Sequence, residues 1–133
     1  YKKMDLRPGE LIVKVALRRP TGPQSGRPVH YYRKVGTRAA QAISKICLAG
    51  FAQVEGDRIS HLRIALGSVA PTPLRCPKTE SVLTSGPLTE ALIRQAEATL
   101  AYEITPIDDV RSTALYRRKV TLNLLREFVA RCR

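Results

Sequence analysis

The hydrophobic period of this chain changes once, and that change leaves few architectures open. Up to about residue 69 the apolar residues favour every second position; beyond APTP, residues 70–73, they recur every three or four. A period of two sends alternate side chains to opposite faces of a strand, whereas a period near 3.6 gathers them on one stripe of a helix. Strands first and helices afterwards argue for an α+β fold, an antiparallel sheet of three to four strands followed by three helices packed on one face.

Within the first part, Leu11, Val13, Val15 and Leu17 alternate with Ile12, Lys14, Ala16 and Arg18, which predicts a strand over 11–18. RRPTGPQSGRP, residues 18–28, holds three prolines and two glycines and can continue neither strand nor helix, so it predicts a surface loop. Val29 to Val35 is β-branched and aromatic, a second strand punctuated by Gly36 and Thr37. From Ala39 the alanines favour a helix, yet Ile43 to Val54 is an apolar run ending at Glu55-Gly56-Asp57. Residues 59–69 break the tie, because Leu62, Ile64 and Leu66 alternate with His61, Arg63 and Ala65; the two segments pair as a hairpin, with a strand from about Ile43.

Three helices follow. Pro77 opens the first, which runs to about Leu83. The second spans Leu88 to Glu103, with Pro87 in its first turn and Leu88, Leu92, Ala96 and Leu100 on one stripe. The third spans Thr113 to Arg131, with Ser112 as its cap and Leu115, Leu122, Leu125, Phe128 and Val129 facing inward.

A chain of 133 residues fits one domain, here residues 11–133 after a lead-in over residues 1–10 that contains Pro8 and Gly9. No leader precedes the first patterned segment and no apolar run approaches the roughly 20 residues of a spanning helix, so the chain reads as an excised piece of a cytoplasmic protein, away from membranes. Cys47, Cys76 and Cys132 are odd in number and far apart, which fits reduced thiols and neither a disulfide framework nor a zinc site.

The formal charge of +12 invites a nucleic-acid reading, but its distribution weakens it. Residues 1–38 hold ten Lys and Arg against two acids, while the remaining segments are close to balanced. No Ser or Cys is marked by a neighbouring base, so no catalytic residue is assigned. Asp108 and Asp109 stand just before a helix, where the positive end of its dipole stabilises anions. Arg117, Arg118 and Lys119 read as a solvated helix face, and Tyr31 and Tyr32 as strand packing. Lys34 has two readings: a solvated surface lysine, or a cation at a strand end beside Gly36 that can approach a planar anionic ligand.

Three blocks in order, YRKVGTRAAQAISK (residues 32–45), ALGSVAPTPLR (65–75) and IDDVRSTALYRRKV (107–120), resemble the C-terminal domain of the flavoprotein component of molybdenum hydroxylases. That family includes xanthine dehydrogenase and carbon monoxide dehydrogenase, and YKKMDLRPGELIVKV resembles the junction with its upstream FAD-binding domain. The resemblance implies a sheet followed by three helices, and FAD shared with the upstream domain rather than retained by this chain alone. It implies partners carrying iron-sulfur clusters and molybdopterin, which pass electrons to FAD and then to an acceptor. It also implies an oxidoreductase component that is not catalytic as an isolated domain. Residue by residue, Lys34 matches the lysine that reaches the flavin ring and Ile12 the apolar residue that packs on it, with Leu11 its neighbour. Where some members carry an acid after the lysine, this chain has Ala39, Ala40 and Gln41, which leaves the acceptor open. Arg111, Tyr116 and Arg117 are expected to bridge domains or subunits. The alternative is a basic interaction module that binds nucleic acid or an acidic protein surface.

Overall fold

A computed structural model describes residues 4–17, 25–39 and 41–133. Four strands form one sheet in the order β1 (Arg27–Val35), β2 (Ile46–Glu55), β3 (Arg58–Gly67) and β4 (Leu74–Arg75), each antiparallel to the next. Three helices complete the domain: α1 (Pro77–Leu83), α2 (Glu90–Glu103) and α3 (Ala114–Ala130). The α+β order read from the sequence is the order found, and none of the helices is long and apolar enough to cross a membrane.

The hairpin forms where expected. Glu55 pairs with Arg58 around Gly56-Asp57, and Gly56 takes φ +62°, a left-handed conformation that costs glycine nothing. Further on, Gln53 pairs with His61 and Val54 with Ile59, so Ser60 is an extra residue bulged out of β3. The bulge restores register, which lets Ile59 and Leu62 point into the same core despite their odd spacing.

One sheet face is apolar and covered. Val29 and Tyr31 of β1, Ile46, Leu48 and Ala52 of β2, and Leu62, Ile64 and Leu66 of β3 are buried with Leu83, Ile93, Ala96, Leu100, Leu125, Phe128 and Val129 of the helices. Each large side chain taken from water contributes about 1.5–3 kcal/mol, so this layer is the main source of stability. At its centre the Phe128 ring lies so close to Gly50 that a Cβ there would stand 2.7 Å from two ring carbons. The same ring stacks on Tyr31 at 5.4 Å, with the Arg131 guanidinium on the tyrosine 5.0 Å from its ring centre. Burial pushes the Tyr31 phenol up to about 12.

Glu80, on α1, closes the sheet beyond the short β4. Its carboxylate accepts the Ile64 amide at 2.7 Å and Arg75 Nε and Nη2 at 3.0 and 2.7 Å. Burial alone would raise its pKa; the hydrogen bonds from Arg75 and Ile64 and the charges of Arg75 and Arg63 outweigh it and hold the group below the usual carboxylate range.

Several expectations need correction. The first strand, expected over residues 11–18, is absent from Leu11 to Leu17: this segment belongs to no strand, and Leu11, Ile12, Val13, Val15 and Leu17 are all exposed. Alternation gives a segment two faces, but a strand exists only where a neighbour takes its hydrogen bonds, and among the described residues β1 pairs with β2 alone and not with 11–17. Arg18, residues 19–24 of the predicted loop, Ala40, and Tyr1 to Lys3 of the lead-in lie outside the described residues. The fourth strand is instead β4, two residues whose brevity hides them from any periodicity. β2 begins at Ile46 rather than Ile43, which is 62% exposed. Thr113, not Ser112, caps α3 by accepting the Tyr116 amide, and Thr89 caps α2, leaving Pro87 and Leu88 before the helix. Leu115 is 77% exposed; the inward stripe of α3 runs through Arg117, Thr121, Leu124, Leu125, Phe128 and Val129.

Replacing Gly50 with alanine will force the Phe128 ring from its seat and cost about 1–3 kcal/mol, read as a lowered urea midpoint at unchanged slope. An unchanged midpoint would show that α3 is not held at this contact.

Candidate functional site

The uncovered sheet face carries the residues with chemical potential. Strand register places Lys34 opposite Cys47 and Cys47 opposite Gly67, a single rung across β1, β2 and β3. The next rung is Tyr32, Ala49 and Ala65. Small residues therefore floor the centre of this face, with exposed Lys34 and Tyr32 on the β1 rim. The Cys47 thiol leans across Gly67, where a Cβ would sit 2.6 Å from its sulfur. Gly67 is thus needed to keep this end of the face flat. Further along, Phe51 stands between His30 and His61, at ring distances of 5.0 and 6.0 Å.

Lys34 sits where β1 ends and a loop over residues 36–45 begins. That loop is pinned at both ends. The Lys45 amide donates to Val35 O at 2.8 Å, and Gly36 packs so tightly on Ala42 that a Cβ would lie 2.8 Å from the Ala42 methyl carbon. Within the loop, Arg38 Nη2 donates to Gln41 O at 2.9 Å, and Gln41 takes φ +48°. Gln41 thus holds a conformation that few non-glycine residues adopt.

A second group of residues backs the loop. Arg117 is 4% exposed, and its guanidinium donates to Ser68 O at 3.0 Å and to Asp109 Oδ2 at 2.7 Å. Ser68, at φ +68°, donates from its hydroxyl to Ser44 O at 3.3 Å, and the Lys45 ammonium lies 5.3 Å from the Tyr116 ring centre. Arg117 does not belong to a solvated face, nor can it bridge to another domain or subunit; its position four residues before Thr121 puts it on the buried stripe of α3. Arg111 is exposed and Tyr116 is 42% exposed. Of the two aspartates before α3, Asp108 acts at the helix start as expected, accepting the Ala114 amide, whereas Asp109 accepts the Arg111 and Ser112 amides of the preceding turn and pairs with Arg117. Hydrogen bonding from the Arg111 amide, then from Arg117 and Ser112, lowers the Asp109 pKa against the opposing effect of desolvation.

Of the residues assigned to flavin by resemblance, Lys34 alone lies on this face. Leu11 and Ile12 are 86% and 71% exposed, outside the core and outside the sheet. The face suits a flat ring edge carrying negative charge, since it offers a level floor and an ammonium. It is a partial seat: among the described residues, the short loops at this end are gathered around the Arg117 group. The structural role of Arg117 escaped the sequence reading because RRK is usually a solvated run, and only its spacing of four and eight residues from Thr121 and Leu125 hinted at burial.

Comparison with known proteins places these features. A family model described as the CO dehydrogenase flavoprotein C-terminal domain matches residues 30–132. The aldehyde oxidoreductase FAD-binding subunit PaoB of Escherichia coli (strain K12) is 40% identical over 81 residues, covering 61% of this chain and 23% of that protein. A putative xanthine dehydrogenase FAD-binding subunit from the same organism is 24% identical over 128 residues, covering 96% and 43%. Among solved structures, reconstituted CO dehydrogenase from Oligotropha carboxidovorans superposes with a TM-score of 0.72 at 26% identity, over 79% of this chain and 36% of that chain. The chain spans 23% to 43% of the length of the curated relatives it matches.

Asp109→Asn will lower stability at neutral pH. Because the folded-state pKa of Asp109 is depressed, its contribution is present above the ordinary aspartate value near 3.9 and fades as pH falls through the lower folded value. Thermal melts of parent and variant are therefore expected to differ at pH 7 and to converge in strong acid; a constant difference across pH would refute the carboxylate's role.

Proposed function

Because the chain belongs to the CO dehydrogenase flavoprotein C-terminal domain family, we propose that it completes a flavin site whose larger part lies in a preceding FAD-binding domain. The carrying observation is the rung of Lys34, Cys47 and Gly67, a cation beside a flat floor at the end of an exposed sheet face. FAD, when bound, supplies the electron-carrying ring, and Lys34 is the charged group this chain brings to it. Leu11 and Ile12 belong to the junction with the FAD-binding domain, and Ile12 packs on the flavin once that domain covers this exposed segment.

Lys34 acts by charge. A unit positive charge about 4 Å from a unit negative one, at an effective dielectric near 20, interacts by roughly 4 kcal/mol, so an ammonium here favours the ring when it carries extra electron density. The Lys45–Val35 hydrogen bond and the strand pairing with Cys47 hold the Lys34 backbone in place. The domain is not catalytic alone. It serves a molybdenum-dependent hydroxylase or dehydrogenase in which partners bearing molybdopterin and iron-sulfur clusters deliver electrons to FAD and FAD passes them to an acceptor. The working compartment is the cytoplasm. A nucleic-acid-binding role for the basic surface has no support in the family or the relatives.

In the full-length flavoprotein, Lys34→Met is expected to lower the flavin midpoint potential while FAD stays bound, measured by spectroelectrochemical titration. An unchanged potential would sink the assignment of Lys34.

A further inference from the structure

Arg117 is buried behind the sheet end, yet its contacts reach the loop that follows Lys34. Three observations converge. Its guanidinium donates to Ser68 O, directly after Gly67 of the Lys34 rung. The Ser68 hydroxyl donates to Ser44 O, inside the last turn of the loop. Its neighbour on α3, Tyr116, offers its ring to the Lys45 ammonium, and the Lys45 amide fastens the loop to Val35, next to Lys34. The first turn of α3 thus grips both the far strand of the rung and the returning end of the loop. Asp109 neutralises Arg117 at 2.7 Å, so the guanidinium adds little net field on the open face. Its influence there is geometric.

We propose that Arg117 is a positioning residue for Lys34: from inside the domain it clamps Ser68 and, through it, the 36–45 loop, and so sets where the Lys34 ammonium stands. An arginine is suited to this because its planar fork serves a carbonyl and a carboxylate at once, which a lysine cannot do with the same geometry. Ser68, held at φ +68°, is the strained link that the clamp maintains. The consequence for the flavin rests on the reading of Lys34 above; the clamp itself does not.

The test uses the full-length, FAD-loaded flavoprotein with Arg117→Met, the charge-neutral pair Arg117→Met/Asp109→Asn, and Tyr116→Ala, whose side chain is half exposed and removable without opening the core. Hydrogen exchange by mass spectrometry is expected to speed up about tenfold or more over residues 36–45 in all three, with α2 unchanged. The flavin potential is expected to move in the same direction as in Lys34→Met. Should Arg117→Met fail to fold, Ser68→Ala, which removes the hydroxyl that links the clamp to Ser44 O, carries the test. Unchanged exchange over 36–45 in a folded variant overturns the clamp. Faster exchange with no effect of Lys34→Met on the potential would keep the clamp and reject the flavin contact, while faster exchange with a potential that responds only to Lys34→Met would overturn the positioning role.

Discussion

The domain depends on the contact between Phe128 and Gly50. Every other layer follows from it: the ring fills the space left by the missing side chain, stacks on Tyr31 of β1, and so fastens α3 across two strands at once. Dispersion and burial do the work here, since a ring packed against backbone removes much apolar surface from water and leaves no room for alternatives. With α3 fixed at its middle and end, its first turn is directed to the sheet end where β1 stops and β3 passes into Ser68.

This arrangement divides the sheet by chemistry. The covered face carries the stability, and the end of the open face beside Lys34 is left with small residues, a lysine and a tyrosine. A face built in that way is cheap to keep exposed, because its floor of Cys47, Ala49, Ala65 and Gly67 presents little apolar bulk. The chain belongs to the CO dehydrogenase flavoprotein C-terminal domain family and spans under half the length of its curated relatives, which is the ground for the divided flavin site proposed above.

Much of the fold was legible in the sequence because the period carries it. The hairpin about Gly56 and all three helices follow from alternation, turn chemistry and apolar stripes. Leu11 to Leu17 marks the limit of that reasoning, since its alternation is as clean as that of β3, but among the described residues no strand takes its hydrogen bonds. Arg117 marks another. Local sequence shows a charge run, whereas burial of one member is decided by Ser68 and Asp109, which lie 49 and 8 residues away. The place of Lys34 at a strand end is legible in the sequence, whereas its rung partner Cys47 is not, because cross-strand register needs a pairing that spacing alone does not specify.

The central claim is that this domain brings a lysine to a flavin held mostly by its neighbour. A crystal structure of the complete FAD-bound flavoprotein measures this directly. The account predicts the Lys34 ammonium within about 4 Å of the flavin ring, on the rung shared with Cys47 and Gly67, close enough for the Coulomb stabilisation claimed. A flavin ring lying beyond about 10 Å, where charges in solvent are largely screened, would contradict it.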